Sequence, residues 1–439
     1  MQRLIYMKLI KRLLLLTYLM ILSIIIISCK KNNIRNQNQI DVIDIKENIK
    51  NFKFINLSEI TDNINYVTLE TDSNSLFKYI IDIISLNDRF VIMGPFSCKV
   101  FNDDGKFICN IGSRGAGPGQ YYSVKDISID RKNQNLFLSD GSQFLEYSIE
   151  GRFIKEIKIP DNVKVSGGLL NLGNNKYCGL NIRIDEPNSM YIFNDQNKIL
   201  KTFPNLYYDT LIHKTNRRLY VSLSPDLYIN NRVLYKNYLC DTVYSLTNEM
   251  ELKPAYWFNF EEYDNALKFV ETAPDKGKDD RIEDYLSIQG IKETRHFLFF
   301  YCDFGKYLPK SEYVEVNIQQ PEGAWITRFP GDRIGGFFNR ETGQLVFLRK
   351  NKEYQKQIGG FSGFLNDIDG GVPFWPWAQP YENKLVSFVD AYELKEYVQS
   401  DAFKNSKPKY PEKKKALKEL ADSLGWEDNP VLMVVTLKE

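Results

Sequence analysis

Phe101-Asn-Asp-Asp-Gly-Lys-Phe-Ile-Cys-Asn-Ile111 is the stretch that decides the fold, because it recurs. It returns as YSIEGRFIKEI from Tyr147 and as FNDQNKILKTF from Phe193, a spacing of 46 residues each time. Each copy reads as a hairpin. A strand ends in an aromatic residue, a tight polar turn follows with Gly105, Gly151 or Asn197 at the position that needs φ > 0, and an apolar strand leaves. A fainter copy, YSLTNEMEL, starts at Tyr244, and FNRETGQLVFL starts at Phe338, which reads as about two periods later. A degenerate copy, YCDFGKYL from Tyr301, would sit between them.

Alternating strands precede the turns: RFVIMGPFSCKVF (89–101), NLFLSDGSQFLEY (135–147) and NKYCGLNIRIDEPNSMYIF (175–193). Three or four short antiparallel strands per long, fixed period make a propeller blade. Period-2 alternation excludes a helical solenoid. The expected fold is therefore all-β, a six-bladed β-propeller over 52–439 with small helical insertions. Two insertions are expected. One spans 261–291, where EEYDNALKFVETA and RIEDYLSIQGI read as short helices. The other spans 392–426, a helical hairpin around Pro408 and Pro411. The apolar run VLMVVTL (431–437) is placed to pair with INYVTLE (64–70), closing the ring and removing its edge.

The first 28 residues are of another kind. Arg3, Lys8, Lys11 and Arg12 precede an apolar run from Leu13 to Ile27, the pattern of a secretory signal. Ile26, Ser28 and Cys29 satisfy a lipobox, so the signal would be cut before Cys29 and lipid attached to its thiol. An uncleaved anchor is the alternative, but the run falls short of the roughly 20 residues a span needs. Residues 29–51, which run on from Cys29 as KKNNIRNQNQ (30–39), read as a flexible tether with too little apolar surface to fold.

Lys plus Arg number 57 and Asp plus Glu 56, so no global field favours nucleic acid. The chain holds only two histidines, His213 and His296, which argues against histidine metal sites and Ser-His-Asp chemistry. Cys98 and Cys109 flank the turn Asn102–Gly105 symmetrically. They would either face each other across the hairpin or serve as small buried apolar groups.

The chain resembles the six-bladed β-propeller lipoproteins numerous in Bacteroidota, relatives of the NHL-type propellers. The resemblance rests on Tyr66-Val-Thr-Leu-Glu70, IGSRGAGPGQY (111–121), Asp241-Thr-Val-Tyr244, NDIDGGVPFWP (366–376) and DNPVLMVVTLK (428–438). It implies the fold over nearly the whole mature chain, and it brings no agreed catalytic residues. Relatives with an acidic stretch after the lipid cysteine are held to reach the cell surface. Lys30 and Lys31 stand there in this chain, which implies a periplasm-facing position.

Three features are candidate sites. Phe374-Trp375-Pro376-Trp377, with Tyr381, puts aromatic rings on a Pro-rich loop, where they would stack on sugar rings or peptides; a packed plug at a blade end is the alternative. Arg114, on the glycine-rich stretch 112–119, would contact an anion, although the stretch lacks the Gly-Lys-Ser/Thr of a phosphate loop. Asp367 and Asp369 have the alternate spacing that begins a calcium loop, without its later ligands. No cofactor is otherwise implied. The expected function is a non-catalytic binding or scaffold propeller tethered to the membrane through Cys29, with a peptide, glycan or envelope protein as partner. The alternative is a calcium-dependent hydrolase or lactonase-like enzyme.

Overall fold

A computed structural model describes residues 40–438, apart from 182–185, 209–227, 273–283, 313–315, 320–324, 329–332, 351–361 and a few single or paired positions. The signal segment and Cys29 lie outside the described residues. Residues from Asp41 onward form one compact unit, a six-bladed β-propeller. Among the described residues no helix is long and apolar enough to cross a membrane.

Blades 1 to 3 are four-stranded antiparallel sheets. Blade 1 comprises Asp82–Ser85, Arg89–Met93, Cys98–Asn102 and Phe107–Asn110. Blade 2 comprises Asp126–Asp130, Asn135–Ser139, Phe144–Ser148 and Phe153–Ile157. Blade 3 comprises Leu169–Gly173, Lys176–Leu180, Asn188–Asn194 and Ile199–Pro204. Blade 4 is built from Tyr228–Ile229, Arg232–Tyr235, Thr242–Leu246 and Leu252–Asn259. Blade 5 is built from Ser287–Glu293, Phe297–Asp303, Arg333–Asn339 and Leu345–Leu348. The first strands of blades 2 and 3 touch, whereas fourth strands such as Phe107–Asn110 and Phe153–Ile157 are largely open to solvent. The first strands therefore face the axis.

The expected hairpins are the third-to-fourth-strand turns of blades 1 to 5. Gly105, Gly151 and Asn197 have φ of +80°, +82° and +60°. The faint fourth copy has Met250 at φ +61°, and the fifth has Gly343 at +73°. The spacing between Tyr244 and Phe338 is one blade and not two. The added residues are an insertion before Ser287 and another that carries the ribbon Val316–Gln319 with Trp325–Arg328. Tyr301 accordingly lies in the second strand of blade 5, and no hairpin copy starts there.

Blade 6 closes the ring as expected. Val431–Leu437 pairs antiparallel with Lys384–Val389 on one side and with Thr61–Thr68 on the other, in the register Val431↔Thr68 and Met433↔Tyr66. Three helices, Ala391–Gln399, Asp401–Asn405 and Pro411–Ser423, fill the expected 392–426 insertion. Pro411 sits in the first turn of the last one, where its missing N–H goes unneeded. The 261–291 insertion differs from expectation. Ala266–Thr272 is helical, but the end of RIEDYLSIQGI is strand Ser287–Glu293, in which Gly290 at φ +59° accompanies a bulge opposite Tyr301–Phe299. That bulge disrupts the alternation that would have marked a strand.

Of the segment expected to be a flexible tether, 29–51, residues 29–39 lie outside the described residues, and the described part packs on the blades. Asp41–Asp44 adds parallel to the outer strand of blade 4, and Phe52–Lys53 adds parallel to that of blade 5. Ile43 and Ile45 are fully buried there. These additions cover two sheet edges that would otherwise be open to pairing. The Cys98–Cys109 pairing does not occur. The first hairpin carries an extra turn residue and a register shift between Val100 and Phe101, so Cys109 opposes Val100 while Cys98 bonds to Ile111. All five described cysteines are free thiols, and burial pushes those of Cys98 and Cys109 up.

Candidate functional site

At one end of the strands, turns from blades 2 to 6 converge on a cavity of about 1290 Å³. Its walls follow from local turn chemistry. In blade 2, Asp130 closes its own turn. Its Oδ1 accepts from the N–H groups of Lys132 (3.0 Å) and Asn133 (3.2 Å). Its Oδ2 accepts from the side-chain amides of Asn133 (2.7 Å) and Asn171 (3.1 Å), the second reaching across from blade 3. In blade 3, Asn171 Oδ1 accepts from Gly173 N–H at 2.8 Å, and Gly173, Asn174 and Asn175 all have positive φ. This reversal is so tight that Asn174 and Lys176 both face the cavity.

Blade 5 contributes Thr294, Arg295 and His296. Arg340 holds this turn, with Nη1 donating to the carbonyls of Thr294 (2.6 Å) and Arg295 (3.2 Å). Its Nη2 lies 3.1 Å from Glu293, a buried carboxylate that also receives the hydroxyl of Tyr256 from blade 4. Burial first and Glu293 second push the Tyr256 phenol well up, so it stays a donor. His296 Nδ1 is 2.7 Å from Glu341. Blade 6 supplies Tyr381. The guanidinium carbon of Arg131 sits 4.2 Å from the centre of its ring, while Arg131 Nη1 donates to Ser85 O of blade 1 at 2.8 Å. One arginine thus ties three blades together at the cavity wall.

Of the residues expected from sequence to bind ligand, only Tyr381 lines this cavity. Trp375 is 6% exposed, stacked on Phe364 and edge-on to Phe299. Trp377 is half-buried, edge-on to Phe388. Both pack as core residues: Trp375 against Phe299, Tyr301 and Phe364, in a cluster that also takes in the 391–423 helices, and Trp377 beside Phe388, in the cluster between blades 6 and 1. Arg114 is exposed at 5.2 Å from the Phe96 ring, on the connection between blades 1 and 2, and is no part of the cavity.

The two aspartates do not form a calcium loop. Asp367 receives Ser58 N–H (2.9 Å) and Oγ–H (2.6 Å), pinning the 366–371 loop to the chain ahead of the first blade. Asp369 is buried, and its Oδ1 accepts from Gly371 N–H (2.8 Å) and the Tyr66 hydroxyl (3.3 Å). Burial raises its carboxyl to about 6. These oxygens already serve structural donors. Among the described residues no group of three His, Cys, Asp or Glu converges as a metal site would require.

Arg131, Lys176 and Arg295 went unnoticed in the sequence, since a lone cation on a turn reads as a solvated side chain. The repeat gives no pointer to them: Arg131 and Lys176 are 45 residues apart, one after the first strand of blade 2 and the other opening the second strand of blade 3, so a 46-residue alignment does not superpose them.

A family model for a domain of unknown function, DUF4934, matches residues 40–436, and the chain belongs to that family. No curated protein matches it. The structure is similar to that of a Bacteroides fragilis protein predicted to be exported, at 18% identity and a TM-score of 0.63, over 91% of this chain and 100% of that one. Looser likenesses extend to a DUF4221-family member from Bacteroides vulgatus (9% identity, TM-score 0.40, 65% of this chain and 84% of that one). A virginiamycin B lyase from Staphylococcus aureus is similar at 10% identity and a TM-score of 0.35, over 66% of this chain and 90% of that one. At these identities the likeness is one of fold, and no activity carries over.

Proposed function

We propose that this DUF4934 protein is a non-catalytic binding propeller of the cell envelope, exported, tethered by lipid on Cys29, and facing the periplasm. Its ligand is taken at the channel mouth described above, not on the Trp375–Trp377 loop. The observation that carries this reading is convergence: five blades send turn side chains to one concave space, and those turns are held in place by Asp130, Arg340 and Arg131 before any ligand arrives. Pre-ordered polar groups around a cavity favour binding because little ordering remains to be done on association. The similarity to a Bacteroides protein predicted to be exported supports the export part.

Two measurements test it. Labelled palmitate should appear on the wild-type protein and vanish in Cys29→Ser. On a glycan and peptide array, ligands should be lost on Asn174→Ala with Tyr381→Ala but kept by Trp377→Ala. Array binding that survives the double change at the mouth, or stoichiometric calcium in purified protein, would sink the reading.

A further inference from the structure

The charges lining the mouth are lopsided in a chain that is otherwise balanced. Arg131, Lys132, Lys176, Arg295 and Lys438 face it against only Asp130 and Glu382, whereas the whole chain has 57 basic and 56 acidic residues. The imbalance is larger in effect than in number. Asp130 is saturated by four donors from its own turn and from Asn171. Lys438 is paired with Asp62 at 2.9 Å. Lys132, Lys176 and Arg295 have no carboxylate within ion-pairing distance among the described residues. A concave wall with uncompensated cations focuses its field into the cavity and raises the local concentration of anions.

The neutral part of the lining narrows the class further. Asn174, Asn248 and Asn383 line the same cavity, and none makes a side-chain hydrogen bond among the described residues. Each offers both a donor and an acceptor, the pairing that a sugar hydroxyl needs. Strand addition, the commonest way to hold an extended peptide, requires an open sheet edge. The mouth presents turns instead.

We infer that the mouth takes an acidic glycan, an oligosaccharide whose carboxylates meet Lys176, Arg295 and Lys132 while its hydroxyls meet the free asparagine amides. This rests on the mouth being the ligand site. Arg131 serves in a different way from the other cations. Held against the Tyr381 ring and bonded to Ser85 O, it keeps its position whether or not a ligand is present, so its charge is fixed at the wall.

The test uses the whole mature protein with three probes: trigalacturonic acid, its fully methyl-esterified form and pentaglutamate. Binding is read by calorimetry, and its place by hydrogen exchange of the amides at 130–133, 171–176 and 294–296. Trigalacturonic acid should bind, slow exchange in those turns and weaken as salt rises. The ester should bind at least about tenfold more weakly, and Lys176→Gln and Arg295→Gln should each weaken the acid by about tenfold, the scale of a lost charge-assisted hydrogen bond. Arg295 is exposed on its turn and Lys176 is partly buried at the start of its strand, and unchanged thermal unfolding checks that the variants fold. If the ester binds as tightly as the acid and protects the same turns, the anionic inference is overturned and the mouth stands. If protection appears only elsewhere, the mouth itself is the wrong site. Pentaglutamate binding more tightly than the sugar overturns the glycan class, and no binding by any probe overturns the inference outright.

Discussion

A β-carbon built on Gly105 would lie 2.1 Å from the carbonyl oxygen of Thr68. The hairpin turn of blade 1 therefore rests directly on the last residue of the strand that closes blade 6. The seam is bonded on both sides of the glycine. Glu70 N–H donates to Gly105 O at 2.8 Å, and Glu70 Oε2 accepts from Phe107 N–H at 3.0 Å. Gly151 stands in the same relation to Asn110 of the preceding blade, at 2.5 Å from its carbonyl oxygen. The repeat thus keeps glycine for two reasons, positive φ and contact with the neighbouring blade.

Gly105→Ala should therefore cost more than positive φ alone accounts for. Gly343 has φ +73° with nothing within 4 Å of a built β-carbon. Gly343→Ala should lose about 1 kcal/mol from conformation alone, and Gly105→Ala about 2–4 kcal/mol, because the blade 6 seam must also shift. Urea unfolding of the two variants measures the difference; equal losses would mean the seam yields freely.

Trp375→Ala should destabilise the protein by about 3–5 kcal/mol, as expected for a buried aromatic whose cavity cannot collapse. The half-buried Trp377→Ala should lose less. Neither should alter ligand binding at the mouth under conditions where the protein stays folded. Chemical unfolding and calorimetry on the same samples check both halves.

Asp369 gives a pH dependence whose sign is set by burial. Its carboxyl is raised from 3.8 to about 6 in the folded protein, so the fold favours the protonated form. The contribution is full below about pH 4 and is lost as pH rises through about 6, an order of 3 kcal/mol. Asp369→Asn keeps the acceptor for Gly371 and Tyr66 and removes the charge. The variant should be more stable than wild type at pH 7.5, with the gap closing by pH 4. Denaturant midpoints across that range settle the matter, and a gap that widens in acid would show the carboxylate to be the favoured form.

Tyr381→Ala removes the ring beside Arg131 and leaves its hydrogen bond to Ser85 O in place. Global stability should fall by no more than about 1–2 kcal/mol, the scale of one cation–π contact with its burial. Affinity for the mouth ligand should fall more than tenfold if a fixed Arg131 matters, and Tyr381→Phe, which keeps the ring, should restore it. Titrations of the three proteins with one ligand decide this.

Sequence and structure agree where one residue type answers one local demand. Gly105, Gly151 and Asn197 announced their turns because positive φ excludes most other residues, and the copy at Tyr244 was faint because Met250 occupies that conformation instead. The closing pair was legible from Val431–Leu437, an apolar run too short for a helix and left without a neighbour in sequence. The 94-residue gap misled because insertion length carries no periodic mark. Ser287–Glu293 misled because its bulge breaks alternation. Burial of Trp375 was illegible for another reason: the rings of Phe299 and Tyr301 that pack it come from the second strand of blade 5, far away in sequence. The mouth is the extreme case. Its walls come from single turns scattered between Asp130 and Lys438, and no window of sequence contains two of the blades' contributions.

The hydrogen bond from Thr61 Oγ to the carbonyl of Thr436 joins residues 375 apart in the chain. A ribosome, or a translocation pore, releases the first of these long before the second. Blades 1 to 5 are local structures and can form as they emerge, but the ring stays open until its final strand is delivered. Thr61–Thr68 is thus made ahead of every strand of blades 1 to 3 and is among the last to be paired. Until then it is an unpaired edge that must be kept from other chains, and long-range pairing of this kind is slow. Synthesis order and assembly order run in opposite directions at this one seam.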